Sequence, residues 1–397
     1  MRRVTGPPPR RSFWRRYRWW IVGQAVVWIA GAAILRAAIV PAEACPPVSA
    51  TAIGRGIDEG AAWLVRGQRD GGRFLYGYHA DTGAVNPGYN STRHAGVMDA
   101  LYRLGRTESA DAGLAFVRRN LIARDDWAAF APAGEDANVG GNSLLVVALL
   151  HRREATGETR YDPLIHRLAR FVLSQARADG SVLQYWSRET GRPVPDVTGK
   201  FATGEAFYAL AFMNAVFPGE GWEEPARRVV DYLATRRDVA EGNTVRPSDH
   251  WAAYGLATLA PAGLSEVEVD YARLLSGYFG FLVRLESQRV GRALNPFSES
   301  GASLGTVGEG TTALWRLAGE EPRLADLRDD LGERSACLAG ILVDRQAPPS
   351  SPDPRERHPA GVRGAEESGH QEPEGHGSAR PAPKRAATAC CWSSIWV

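Results

Sequence analysis

A chain of 397 residues, 44% hydrophobic and 23% charged, has ordinary globular composition. It is long enough for one large core or two domains, and wholesale disorder or a collagen-like repeat is excluded. Its 47 basic residues against 45 acidic ones leave a net charge of +2, which argues against a nucleic-acid binder. Four cysteines (Cys45, Cys337, Cys390, Cys391) are too few for a disulfide scaffold and form no CxxC zinc pattern, so neither a metal nor another cofactor is expected.

The first predicted element is directed at a membrane. Residues 1–18 carry seven arginines and no acid, and the apolar run WWIVGQAVVWIAGAAIL follows at 19–35. Counted on to Val40, it predicts a transmembrane anchor over 19–40, with Arg36 snorkelling at its exit. The basic flank places residues 1–18 in the cytoplasm and everything after the span outside, as a single-pass membrane protein. Ala42-Glu43-Ala44 fits a cleavage site, but the apolar run exceeds a signal core, which favours an uncleaved anchor. Residues 41–50 read as a linker.

Residues 51–346 read as one all-α domain. Apart from short stretches such as FLYGY at 74–78, no strand alternation stands out, whereas helical stripes recur: Ile57, Ala61, Leu64 and Val65; Leu164, Ile165, Leu168, Phe171 and Val172; Ala226, Val229, Val230 and Leu233. These amphipathic helices end in related strings at Gln68, Leu121, Gln175, Arg236, Gln288 and Gln346, spaced 52 to 61 residues apart. Between them lie Gly/Ala-rich segments apolar on most sides, at 91–104, 140–150, 202–213, 250–260 and 308–318. Alternation of the two kinds predicts two concentric layers closed into a ring, the apolar set inside.

Six hairpins with one helix missing resemble an incomplete (α/α)6 toroid, the fold of six-hairpin glycosidases, sugar epimerases and polysaccharide lyases, and of terpenoid cyclases and protein prenyltransferases. Gly60 to Gln68 followed by Gly72-Arg73-Phe74 is similar to the QW repeat of the terpenoid-cyclase branch. The resemblance implies a carbohydrate-active or a terpenoid enzyme. For the latter, no DxDD acid motif and no prenyltransferase zinc set is present.

Connections into the inner helices are long (69–90, 122–137, 178–199, 238–248, 289–305), and all reach helix N-termini, so they gather on one mouth. The catalytic candidates there are His94, Arg93, Glu205, Asp249, His250 and Glu309. Two of the carboxylates on opposite walls would suit glycoside hydrolysis. Alternatively, Arg93 neutralises a uronate while His94 or Tyr89 removes the adjacent proton, giving epimerisation or elimination. Tyr76, Tyr89, Asn90, Asn138, Asn142, Lys200 and Trp251 are the substrate-binding candidates, with a glycan or polysaccharide and the membrane as partners and no nucleic acid. A non-catalytic glycan-binding or assembly factor using the same mouth, or an inactive truncated relative, is the alternative. Gly301-Ala302-Ser303-Leu304-Gly305 matches GxSxG but lies between helices, without the strand a nucleophile elbow needs.

Residues 347–397 are rich in Pro, Gly, Ser, Arg and His and predict a disordered tail. Either the tail is a linker and the ring is incomplete, or the reading frame changes near 347. A missing sixth inner helix is expected to wet Val97, Leu101, Leu314, Leu317, Leu338 and Leu342.

Overall fold

A computed structural model describes residues 13–36, 43–78, 84–86, 88–242, 249–288 and 301–346. The predicted tail over 347–397 lies outside them. After α1 (Phe13–Ile34), the hairpins follow in chain order as α2 (Ala50–Arg66) with α3 (Ser91–Arg103), and α4 (Thr107–Arg119) with α5 (Val139–Thr156). The next are α6 (Asp162–Gln175) with α7 (Ala202–Val216), and α8 (Glu223–Thr235), short α9 (Arg237–Ala240) and α10 (His250–Leu259). The last are α11 (Glu266–Ser287) with α12 (Gly301–Glu320), and α13 (Arg328–Arg345).

The two helix types sort as their sequences require. From Ala202 to Met213 every residue of α7 is buried, whereas α8 buries only one stripe, Pro225, Ala226, Val229, Val230, Tyr232 and Leu233. The inner helices pack in the order α3, α5, α7, α10, α12, with the amphipathic helices outside them. Local signals set the ends. Ser265 and Glu268 form a reciprocal capping box that starts α11, and Gly157, in the left-handed region at φ 70°, stops α5.

The terminal glutamines join one outer helix to the next. Gln68 Nε2 donates to Ser109 O of α4 at 2.8 Å, and Gln346 Nε2 donates to Gly56 O of α2 at 3.0 Å, which closes the outer ring. The segment read as a linker is a strap across that closure. Cys45 is disulfide-bonded to Cys337 of α13, Ala44 N donates to Ser287 O of α11 at 3.1 Å, and Glu43 meets Arg284 at 3.2 Å. Gly340 is required beneath the strap, since a Cβ there would stand 2.1 Å from Pro46 O. The flanks expected to be wet are not: Leu101, Leu314, Leu317, Leu338 and Leu342 are all buried, and Val97 is half-buried.

The domain is all-α as expected, and its long connections carry short antiparallel ribbons. These pair β1 (Gly77–Tyr78) with β2 (Val85–Asn86) and β3 (Leu121–Ala123) with β4 (Ala128–Phe130), while β6 (Tyr185–Ser187) pairs with both β5 (Ala137–Asn138) and β7 (Arg192–Pro193). The transmembrane anchor over 19–40 is not supported: among the described residues no helix is long and apolar enough to cross a membrane. The uncharged stretch between Arg18 and Arg36 spans about 26 Å at 1.5 Å per residue, short of the roughly 30 Å hydrocarbon core, and Gln24 interrupts it.

Candidate functional site

Most of the polar residues at the mouth serve the helices that carry them. Asn90 Oδ1 accepts from Arg93 N at 2.8 Å and Asn138 Oδ1 accepts from Gly141 N at 3.0 Å, so both are N-caps of inner helices. Asn142 is wholly buried and clamps β4 to α5: its Oδ1 accepts from Phe130 N at 2.6 Å, and its Nδ2 donates to Phe130 O at 3.0 Å and Asn138 O at 2.8 Å. Lys200 is exposed, its ammonium 5.5 Å from the Phe201 ring.

The expected cluster of Arg93, His94 and Tyr89 does not form one site. His94 turns toward α4, where its Nε2 donates to Gly113 O at 3.2 Å, and it sits among the rings of Phe74, Tyr89, Phe116 and Phe130. Burial lowers its pKa to about 4, so the imidazole is neutral at physiological pH. Burial also pushes the Tyr89 phenol upward, which unsuits it as a base. Arg93 points elsewhere, exposed and stacked 4.5 Å over Tyr76.

Asp249 is likewise occupied. At 1% exposure it receives both Nη groups of Arg237, one at 2.7 Å, and the Tyr271 hydroxyl at 2.7 Å. This ties the start of α10 to α9 and α11.

What remains is a smaller set. Glu205, 3% exposed in the first turn of α7, rests against Gly140 of α5, where a Cβ would come within 1.8 Å of its Oε2. Burial alone raises its pKa to about 8, so it is a protonated acid at neutral pH. Across α10 and α12, His250 Nε2 lies 3.4 Å from Glu309 Oε2, both buried. Trp251 continues the wall, its ring 4.5 Å from His250 and stacked on Tyr208 at 6.2 Å and 16°. Tyr208 in turn stacks on Tyr254 at 5.3 Å. Residues 205, 208 and 212 share one face of α7, so Glu205 stands one turn nearer the mouth than Tyr208.

No protein-family model matches the chain, and no curated protein does. Solved structures do. A sugar epimerase from a ruminal bacterium superposes with a TM-score of 0.51 at 10% identity, over 71% of this chain and 85% of that one. A D-mannose isomerase superposes with a TM-score of 0.51 at 13% identity, over 72% and 86%. The fold is the (α/α)6 toroid. Likeness at such identities fixes architecture and leaves chemistry to the residues.

Deeper in the toroid lies a cluster that the sequence reading passed over. Asp99 of α3 meets His151 Nδ1 of α5 at 2.5 Å and Arg103 at 4.0 Å. Burial would lower the Arg103 pKa, but Tyr254, Asp99 and Tyr208 outweigh it and hold the guanidinium charged. Because α3 and α10 are three places apart among the inner helices, the Arg103–Tyr254 contact crosses the ring axis and forms a floor below the mouth. The available signal was the presence of Asp99, Arg103 and His151 inside helices otherwise apolar on nearly every side.

Proposed function

We propose that this toroid is a carbohydrate-active enzyme that moves a proton on a sugar, as an epimerase or isomerase does, rather than hydrolysing a glycosidic bond. The observation that carries the reading is the state of the three mouth carboxyls. Asp249 is consumed by Arg237 and Tyr271, and Glu309 is engaged by His250. Glu205 is a neutral acid. Hydrolysis needs two carboxyl groups flanking the bond, one of them free to act as base or nucleophile. Proton transfer needs a base and an acid to return the proton, and His250 oriented by Glu309, with Glu205, supplies both. The stacked rings of Trp251 and Tyr208 offer the apolar face on which a sugar ring packs.

The test is hydrogen exchange. The purified chain is incubated with aldoses, ketoses and uronates in D2O, and loss of a C–H signal is followed by NMR. Wild type should exchange one carbon-bound proton, and Glu205→Gln or His250→Ala should slow it at least about a hundredfold at unchanged melting temperature. Release of reducing ends without exchange favours hydrolysis. Binding without either reaction favours a glycan-binding factor, a reading supported by how many mouth residues are spent on structure.

The proposed location is outside the cytoplasm and at the membrane surface. The arginine flank, the exposed Trp19, Trp20 and Trp28 of α1, and a disulfide, which persists in oxidising compartments, all support it. Alkaline phosphatase fused after residue 60 should be active; activity only of a cytoplasmic reporter at that position would sink the assignment.

A further inference from the structure

The glutamines that end the outer helices hold matching places and meet different partners. Gln68 is fully engaged: its Nε2 donates to Ser109 O and Gly72 O, and its Oε1 accepts from the Ser109 hydroxyl at 2.8 Å. At the α6–α8 junction the same architecture recurs, Gly180 abutting Arg228 O as Gly72 abuts Ala112 O. Three residues before each of those carbonyls stand Pro225 and Ser109, so the hydroxyl that satisfies Gln68 is replaced by a proline ring. Gln175 hydrogen-bonds Ser174 Oγ at 3.0 Å, and its Oε1 has no partner although the residue is 2% exposed. An amide oxygen buried without a donor is costly, and its retention points to a donor that arrives from outside.

That side chain lines a pocket of about 450 Å³ on the outer rim of the mouth, shared with Arg124, Asp125, Asp126, Trp127 and Trp186. Its volume falls in the range of small-ligand sites. The turn that carries the two aspartates is fixed from beneath, with Arg167 donating to Arg124 O at 2.5 Å and to Trp127 O at 3.2 Å, and Arg170 donating to Asp126 O at 2.6 Å. Both aspartates are exposed, and among the described residues no ion pair engages them. The indoles of Trp127 and Trp186 meet edge to face at 5.3 Å. The Arg124 guanidinium, 5.5 Å over the Trp186 ring, also lines it, so the pocket is rich in acceptors, has one carboxylate in excess and is partly aromatic. Such a lining disfavours anions and suits a ligand with many hydroxyl donors and an apolar ring face.

We propose that this rim pocket is a sugar-binding subsite separate from the ring axis, holding one neutral hexose unit of a glycan chain. Gln175 Oε1 and the Asp125 and Asp126 carboxylates accept from its hydroxyls, and Trp127 backs its ring. The proposal rests on the carbohydrate reading above for its ligand class, but not on the chemistry of the axis.

The test is a titration of the full chain with mannotriose, with citrate as anionic control, followed by tryptophan fluorescence and saturation-transfer NMR. Mannotriose should bind saturably and citrate should not. Gln175→Leu keeps the size and removes the acceptor, and Asp125→Asn with Asp126→Asn alters only an exposed turn. Each should weaken mannotriose binding at least about tenfold. Glu205→Gln, which strikes the axis, should leave this rim binding in place. Rim binding that depends on Gln175 in a protein without turnover would sink the catalytic reading and uphold the subsite. Mannotriose affinity unchanged in both rim variants, or preference for citrate, would overturn the subsite whatever the axis does.

Discussion

The mouth and the floor of the toroid use polar side chains in opposite ways. At the mouth, Asn90 and Asn138 satisfy backbone N–H groups of their own helices, and Asn142 ties its helix to the adjoining ribbon. A helix start leaves several donors unpaired, so a short polar side chain there is claimed locally first. On the floor, Asp99, Arg103 and His151 sit in the middle or end of apolar helices, where no such local demand exists. They meet across α3, α5, α7 and α10 instead. Position along the helix thus separates polar groups that finish a helix from polar groups that join several.

Asp249 breaks that division. It starts α10 but makes no cap, binding Arg237 and Tyr271 as a floor residue would. Asp249→Asn should therefore cost about 3–5 kcal/mol, because it uncouples the buried Arg237. Asp99→Ala should cost somewhat less, because it takes the carboxylate from His151 while Tyr254 still holds Arg103. Urea unfolding measures this directly. If Asp249→Asn kept full stability and lost only turnover, Asp249 would return to the catalytic set. Next in size is the strap. Cys337→Ser, or reduction of the wild type, should lower stability by about 2–4 kcal/mol, since the bond closes a loop of 292 residues in sequence separation. Denaturation midpoints with and without reductant should differ in wild type and coincide in the variant.

The mouth and its surroundings also differ in titration. Glu205 has its pKa raised from 4.5 to about 8, so its contribution is full below pH 4.5 and is lost as pH rises through 8. His94 has its pKa lowered from 6.5 to about 4, so its contribution is full above pH 6.5 and is lost as pH falls through 4. Between pH 4.5 and 6.5 the two slopes oppose. From 6.5 to 8 only Glu205 acts, and stability should fall by about 1.4 kcal/mol per unit. Glu205→Gln should flatten that limb and leave the acid limb of His94. Turnover should decline above pH 8 as the acid ionises. A wild-type stability that rises from pH 6.5 to 8 would contradict the burial of Glu205 as an acid.

Periodicity made the architecture readable. Stripes such as Val229, Val230 and Leu233 alternate with the all-round apolar run 202–213, and the endings at Gln68 and Gln346 carry the repeat because those amides bond to the next outer helix. The site was readable only as a neighbourhood. Helix order brings residues to the mouth, but whether His94 faces the axis or α4 depends on packing with Phe74 and Phe116, which no spacing along the chain encodes. The disulfide was hidden for a related reason. Cys45 and Cys337 lie 292 residues apart, and only ring closure makes them neighbours. The anchor was overread because an apolar run was counted through its flanking residues, where the charge-free span is shorter than a bilayer core.

The smallest expected effect returns to the asparagines, where the contrast between capping and binding is sharpest. Asn138 was a substrate-binding candidate, yet its side chain accepts from Gly141 N and its carbonyl accepts from Asn142 Nδ2. Replacing it by alanine removes one cap bond and leaves the N–H of Gly141 to water, for about 0.5–2 kcal/mol. Asn138→Ser, which can still cap, should recover most of that loss. A binding role predicts another pattern, in which both variants lose the amide and both raise KM at unchanged stability. Thermal melts alongside KM for the three forms decide between them. Stability that follows the cap, with a constant KM, assigns Asn138 to the helix.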